Sequence, residues 1–427
     1  MRYIFYSTAV IQILVFIITV YYIFISLFGL YKKKTAKYIE PNKRFAIIVA
    51  AHNEEAVIGN IIDSLKELDY PKSMYDIFVI ADNCTDKTAK FADIHGATVF
   101  ERFNDKQRGK GFALEWMFSK IYGMDKKYDT IAIFDADNLV SKSFLKEMNN
   151  KLSEGYKVVQ GFLDSKNPND SWITASYSIA FWTSNRMFQL AKSNMGLSNQ
   201  IGGTGFCVDI DVLKKIGWGA TCLTEDLEFT CKLILNGEKV GWAHDAIVYD
   251  EKPLTFKQSW NQRKRWMQGF ADVSSRFFFK LVWKGIKDRD VVALDCALYT
   301  IQPFVVISFG ISTVLTFTQS FFNIPMNVFL IKFFLNSVLG IGDEMWNIIM
   351  IAQFIYIPFI LLLDRKLDAR VLYWYIFYPL YTLTWLPITI KGVIDKDKKE
   401  WNHTIHTRQI TINEIESNRE NGKESLA

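Results

Sequence analysis

The chain has 427 residues, half of them hydrophobic and 15% aromatic, with a formal charge of +5. That length suits one large catalytic domain plus membrane helices, and the apolar share exceeds the norm for a soluble enzyme. Basic residues cluster beside apolar runs, at Lys32, Lys33, Lys34, Lys37, Lys43 and Arg44 and again over 391–399. This reads as membrane orientation and excludes a nucleic-acid groove with interleaved aromatics. The five cysteines lack zinc-ligand spacing, so free thiols in a reducing compartment are expected.

Residues 1–31 are predicted to form an N-terminal transmembrane helix, because Ile4–Leu30 is apolar and uncharged. It is too long and wrongly flanked for a signal peptide. Lys32–Lys34 would hold the following segment in the cytoplasm. Residues 32–252 read as a soluble α/β domain. Strand-like runs at Phe45–Ala51, Ile77–Ala81, Thr130–Phe134 and Lys157–Gly161 alternate with helical patterns such as Glu54–Leu68 and Gly109–Ile121. Such alternation implies a largely parallel sheet, with ligands at the carboxyl ends of its strands. His52-Asn53-Glu54, Asp82-Asn83 and Asp135-Ala136-Asp137 all follow strands, so they fall on one edge.

Over 253–290, Phe256, Trp260, Arg263, Trp266, Met267 and Phe270 recur near helical spacing with basic residues between them. One or two amphipathic helices in the membrane interface are expected, with an ordinary helix on a globular core as the alternative. Residues 291–392 should hold three or four spans: Val292–Phe317, Met345–Leu363, Val371–Ile390 and, if the tail returns to the cytoplasm, Pro325–Ile341. Residues 413–427 are polar and expected to be a disordered tail.

Several residues could carry chemistry. Asp135 and Asp137 alternate in extended chain, so both carboxylates can address one hard divalent ion such as Mg2+ or Mn2+. A solvated turn is the other reading. Asp82 is either a turn residue or an acceptor for a nucleobase. Lys110, between Gly109 and Gly111, can meet phosphate where the glycines let the backbone approach, or lie in a simple loop. Thr224, Glu225 and Asp226 fit a helix N-cap with acids in the first turn. The sharper alternative makes Asp226 a general base on a sugar hydroxyl. Gln262 and Arg265 could bind diphosphate oxygens and Trp266 could face a pyranose ring, or the three could be an interfacial belt.

Taken in order, Asp82, Asp135-Ala136-Asp137, Thr224-Glu225-Asp226 and Gln262-Arg263-Lys264-Arg265-Trp266 resemble the membrane-embedded processive family 2 glycosyltransferases. These are relatives of cellulose, mixed-linkage glucan, curdlan, hyaluronan and poly-N-acetylglucosamine synthases. The resemblance covers about residues 1–410. It implies a GT-A-type α/β domain inserted between transmembrane helices of the plasma membrane, facing the cytoplasm. It also implies a UDP-sugar donor, UDP-glucose by preference, and an inverting enzyme that extrudes a growing β-glucan through the lipid bilayer. On it, His52, Asn53, Glu54, Asp82, Lys110, Asp135, Gln262 and Arg265 bind the donor, and Asp137 holds Mg2+ or Mn2+. Asp226 is the base within Thr224-Glu225-Asp226. Gly203, Thr204, Gly205, Phe206 and Trp266 meet the acceptor. Trp401, Thr404, Thr407 and Arg408, within a segment spanning 393–412, form a gating loop. The alternatives are a poly-N-acetylglucosamine or hyaluronan type of synthase, or a non-processive enzyme adding sugar to a lipid acceptor. The Q-x-x-R-W sequence beside membrane helices favours the polymer reading at this point.

Overall fold

The computed structural model of the protein describes residues 2–33, 38–219, 222–321, 354–398 and 408–417. Among them, strands β1 (Phe45–Ala51), β2 (Tyr75–Asp82), β3 (Thr98–Arg102), β4 (Thr130–Asp135), β5 (Leu139–Val140), β6 (Val158–Ser165), β7 (Phe206–Asp209) and β8 (Val240–Asp250) form one sheet. Their order is β3-β2-β1-β4-β7-β6-β8-β5. The central strands are apolar on both faces because both faces are covered. On β1, Phe45, Ile47 and Val49 enter one core, while Ala46 and Ile48 enter the other.

The sheet is mixed where a largely parallel one was expected. β3, β2, β1 and β4 run parallel, and β7 runs antiparallel between β4 and β6. β5 is antiparallel to β8. Because β7 reverses twice, β6 and its parallel partner β8 point the same way as β1. The carboxyl ends of β1, β2, β4, β6 and β8 therefore share an edge. Ala50 pairs with Asp135 and Ala51 with Ala81, so the acids ending β2 and β4 flank the end of β1.

The helices follow the strands. α1 is Arg2–Leu27, α2 Ile58–Lys66, α3 Thr88–Ile94, α4 Lys110–Tyr122 and α5 Phe144–Ser153. α6 (Trp172–Ser184) runs through a π-helical turn at Asn185–Leu190 into α7 (Ala191–Asn194). α8 (Ile210–Ile216) and α9 (Glu225–Leu235) precede β8. The amphipathic stretch is one helix, α10 (Phe256–Lys287), opened by a capping box between Thr255 and Gln258. Its first two-thirds is packed on protein: Arg263, Met267, Gln268 and Gly269 are buried. Phe279, Trp283 and Ile286 further along are exposed. The globular-core alternative thus describes the part of α10 that carries Gln262–Trp266.

The membrane-grade segments depart from expectation. Within α1 and its extension, Val10–Leu30 is, among the described residues, the helix long and apolar enough to cross a membrane. The expected span Val292–Phe317 is two helices, α11 (Val291–Thr300) and α12 (Gln302–Phe321), bent by 63°, which over Val291–Leu315 are together long and apolar enough to cross a membrane as one broken span. Pro303 explains the break, since it lacks an N–H and clashes with the preceding turn. α11 also carries the buried Asp295, ion-paired with Lys192 at 2.7 Å and bonded by the Tyr21 hydroxyl at 2.7 Å. α13 (Phe354–Leu363) is short and apolar. The expected span Val371–Ile390 is three short helices, α14 (Ala369–Tyr375), α15 (Tyr378–Leu383) and α16 (Trp385–Ile394), with Pro379 at the start of α15. The doubtful span Pro325–Ile341 and the first part of Met345–Leu363 lie outside the described residues.

The tail is also more ordered than expected. Residues 412–417 form a helical turn, α17. Thr411 and Glu414 cap it reciprocally, each side chain accepting from the other's backbone N–H. Ile412 and Ile415 are buried against Leu139 and Tyr249. Apolar residues three apart suffice to dock a polar tail.

Candidate active site

On the sheet edge, Asp82 ends β2 with its Oδ1 accepting from Arg102 Nη1 at 2.5 Å, both side chains buried. Its carbonyl meets His52 Nδ1 at 2.7 Å. Asn53 and Asn83 adopt left-handed backbone, φ 55° and 51°. Asparagine tolerates that region because its side chain bonds locally. The Asn53 Oδ1 accepts from Thr85 N–H at 2.8 Å and Asn83 Oδ1 from Asn104 N–H at 2.8 Å. Glu54 is buried, and its N–H donates to Thr88 Oγ1 at 2.8 Å. The bend that places these polar groups shortens the helix expected from Glu54 to α2.

Asp135 ends β4 and pairs with Lys110. The same ammonium donates to the Gly203 carbonyl at 2.7 Å. Lys110 opens α4 directly after Gly109, whose φ of 111° favours glycine. Burial would lower the Lys110 pKa, but Asp135, Glu225 and Asp226 together hold it above the ordinary value. Lys110 is thus paired with Asp135 and lies within the electrostatic reach of Glu225 and Asp226. A Cβ placed on Gly203 would lie 3.4 Å from Asp226 Oδ2, which puts that carboxylate beside the glycine loop.

The loop itself is braced from below. Buried Gln160 donates from Nε2 to the carbonyls of Thr204 and Gly205 at 3.0 and 3.1 Å, and its Oε1 accepts from Gly202 N–H at 2.8 Å. Thr204 Oγ1 accepts from Asp135 N–H at 3.0 Å and bonds Asn138. Phe206 is a correction: it is fully buried and stacks on Trp218 with centroids 6.3 Å apart, so it belongs to the core and not to an acceptor surface. As the first residue of β7 it sends its side chain into the sheet's covered face.

Thr224 precedes α9, yet its side chain makes no cap hydrogen bond. It packs instead on Gly269 of α10, where a Cβ would meet its hydroxyl at 2.4 Å. This close approach fixes α10 over Glu225 and Asp226. Asp226 Oδ1 accepts from Leu227 N–H at 2.8 Å. Burial, then the Glu225 charge, pushes the Asp226 pKa up to about 7. Burial also raises Glu225, opposed by Lys110 and Arg265. Arg265 is thus close enough for its charge to act on Glu225. Its Nε and the Gln262 Oε1 are buried without a hydrogen-bond partner.

Asp137 is buried, accepting from Asn138 Nδ2 at 3.2 Å and from Glu251 N–H at 3.3 Å. Among the described residues, no three His, Cys, Asp or Glu side chains are grouped to hold a metal. Asp135 and Asp137 nonetheless suit a Mg2+ or Mn2+ ion that takes its other ligands from diphosphate and water, as such ions commonly do. Trp266 lies at the edge of an aromatic cluster, 6.0 Å from Tyr177, 6.2 Å from Phe181 and 6.5 Å from Trp385 between centroids. Arg408 pairs with Asp170, and its N–H donates to Glu251 Oε2 at 3.2 Å, next to the Asp137 loop. Trp401, Thr404 and Thr407 lie outside the described residues.

Other residues of this region escaped the sequence reading. Lys166, after β6, is buried with its ammonium lacking a hydrogen-bond partner. Burial lowers its pKa, against the charges of Asp137, Glu251, Asp250 and Glu54. Asp250 ends β8, pairs with Lys252 at 2.9 Å and is pushed up to about 6, mainly by burial. The signal for both lies at the ends of β6 and β8, whose place on the shared edge depends on pairing with distant strands. Arg263 is fully buried, 4.3 Å from the Tyr381 ring centre and 5.1 Å from that of Trp385, and donates to Thr384 Oγ1 at 2.8 Å. It holds the break between α15 and α16.

Residues 41–269, more than half of the chain, match the family described as "Glycosyltransferase like family 2". The chain belongs to that family. This family 2 glycosyltransferase is 29% identical over 243 residues to a beta-monoglucosyldiacylglycerol synthase of Synechocystis sp., covering 54% of this chain and 48% of that one. It is 25% identical over 248 residues to a poly-beta-1,6-N-acetyl-D-glucosamine synthase of Staphylococcus epidermidis, covering 57% and 58%. It spans about half the length of the curated relatives it matches. A mannosyltransferase of Pyrobaculum calidifontis, solved with GDP-Man and Mn2+, shares the fold with a TM-score of 0.57 at 15% identity, over 92% of this chain and 100% of that one. The fold is accordingly a GT-A-like mixed α/β fold around a central sheet.

Proposed function

We propose that the chain is an inverting transferase that moves one glucosyl unit from UDP-glucose to a hydroxyl of a diacylglycerol lipid at the membrane. The observation that carries the reading is the place of Lys110, paired with the strand-end acid Asp135 and bonded to the carbonyl of Gly203, the glycine beside which the Asp226 carboxylate lies. Donor and acceptor would meet across that centre. Asp226 takes the proton of the acceptor hydroxyl, a task suited to a carboxylate whose pKa lies near 7. The freed oxygen forms its bond to the anomeric carbon as the bond to UDP breaks on the opposite face. Gln262, Arg265 and Lys110 receive the growing diphosphate charge. Asp82 and His52-Asn53-Glu54 hold the nucleoside end. A Mg2+ or Mn2+ ion at Asp137 and Asp135 would neutralise the same diphosphate.

Similarity to the glucosyldiacylglycerol synthase supports a lipid acceptor over the polymer expected from the sequence. The apolar helix Val10–Leu30 supports membrane attachment, and Lys32 and Lys33 behind it support a cytoplasmic domain. The packing of α17 on Leu139 and Tyr249 keeps the chain's later part on the side of that domain. A second reading, a processive β-glycan synthase of the plasma membrane, draws on the 25% identity to the poly-N-acetylglucosamine synthase and on the aromatic cluster around Trp266. Labelled UDP-glucose, vesicles containing diacylglycerol and the full chain decide between them. A single-sugar lipid extracted into organic solvent is expected. Label confined to an aqueous polymer would overturn the lipid reading.

A further inference from the structure

On the side of α10 turned away from the acid cluster lies a groove of 450 Å3 between α10 and α16. Trp260 and Lys264 line it from α10, and Pro387, Ile390, Lys391 and Ile394 from α16. Its lining is chiefly apolar, and Ile394 is 70% exposed. At its end stands a cluster of cations. Lys264, Lys391 and Lys398 approach the Asp395 carboxylate at 3.3, 3.2 and 3.1 Å. Asp395 is buried beneath them, while Lys391 and Lys398 are more than half exposed. Lys396 has its own partner in Asp397 at 3.5 Å. Three ammonium groups around one carboxylate leave net positive charge beside an apolar channel.

That pairing of chemistry matches one occupant. We propose that the α10–α16 groove binds an anionic phospholipid, with an acyl chain along Trp260, Pro387, Ile390 and Ile394 and its phosphate on Lys391 and Lys398. A soluble anion would leave the apolar wall exposed, and a neutral lipid would leave the ammonium groups unmatched. The site is coupled to the reaction centre through α10. A Cβ on Gly392 would lie 2.6 Å from the Met267 Cβ, so the two helices touch backbone to side chain. Gln268 Nε2 donates to the carbonyls of Asp395 and Lys398 at 2.8 and 3.0 Å. A headgroup that orders the end of α16 thereby steadies the turns of α10 bearing Gln262 and Arg265.

The inference rests on the membrane-bound reading above, but its test needs neither donor nor acceptor. The full chain in neutral detergent is mixed with equal amounts of phosphatidylglycerol and phosphatidylcholine, and retained lipid is counted by native mass spectrometry. Two lysines near an anionic headgroup favour phosphatidylglycerol by roughly thirtyfold. The preference should vanish in the double variant Lys391→Gln, Lys398→Gln, in which Asp395 keeps Lys264 as its partner. Ile394→Glu should lower retention as well, with an unchanged circular dichroism spectrum. Equal retention of the two lipids by the wild-type chain overturns the site, and so does a preference that survives the double variant. Glucosylation that fails with any lipid acceptor, while this preference persists, refutes the proposed activity and not the groove.

Discussion

On the sheet edge, Asp82 and Asp135 are each ion-paired, with Arg102 and Lys110, whereas on α9 Glu225 and Asp226 stand side by side and feel Lys110 only through its charge. The consequence is electrostatic. Ion-paired acids at strand ends are held in place to position a ligand. Burial and the adjacent Glu225 charge oppose ionisation of Asp226, whose pKa rises to about 7. On the proposed mechanism, the edge holds the donor and α9 exchanges the proton. The same division recurs within one turn of α10. Arg263 is spent on Tyr381, Trp385 and Thr384, while Arg265, two residues on, acts on Glu225 through its charge and has its Nε unpartnered.

Substitutions can break this division, the largest effect coming first. Asp226→Asn should cut turnover by about a thousandfold or more with donor binding nearly intact, measured by donor binding beside single-turnover kinetics. Near-normal turnover would return α9 to a capping role. Arg265→Ala should cost about a hundredfold in turnover and leave the melting temperature within a degree or so. Arg263→Ala should do the reverse, keeping much of the chemistry in the folded fraction but lowering the melting temperature by several degrees, because it opens a buried aromatic site. Equal behaviour of the two arginines would remove the distinction drawn along α10.

Stability should respond in the opposite sense to activity. The folded pKa of Asp226 lies above its unfolded value of 3.8. Its protonated form is therefore the one the fold favours. Its stabilising contribution is full below the unfolded value and is lost as pH rises through about 7. At pH 8 the ionised carboxylate works against folding, so Asp226→Asn should raise the melting temperature there by about 2 °C. Partial solvent exposure of the side chain keeps that gain small. A melting temperature that falls at pH 8 would show that the carboxylate supports the fold instead.

Much of the domain was legible from sequence because its signals are local. β1, β2, β4 and the start of β6 are short apolar runs, and the acids at the first three ends follow directly. β7 and β8 were not legible, since their pairing depends on register with distant strands. With them went Asp250 and Lys166, which reach the site only because β6 and β8 point the same way as β1. Length and hydropathy made Val292–Phe317 and Val371–Ile390 look like single spans, but Pro303 and Pro379 break the helical ladder. The role of Arg263 had a visible sign: it lies on one helical stripe with Trp260, Met267 and Phe270, the stripe that packs. The sequence left Lys110 open between a phosphate contact and a simple loop. Its position between two acid clusters needed the fold.

The most direct test is the pH dependence of lipid glucosylation in the wild type and in Glu225→Gln. Glu225 is the charge that most raises Asp226 after burial. In the wild type, kcat/KM should fall tenfold per pH unit below about 7. In Glu225→Gln the same limb should move to lower pH, because a neutral neighbour no longer opposes ionisation of Asp226. A limb at the same pH in both proteins, or none between pH 5 and 8, would contradict Asp226 as the base.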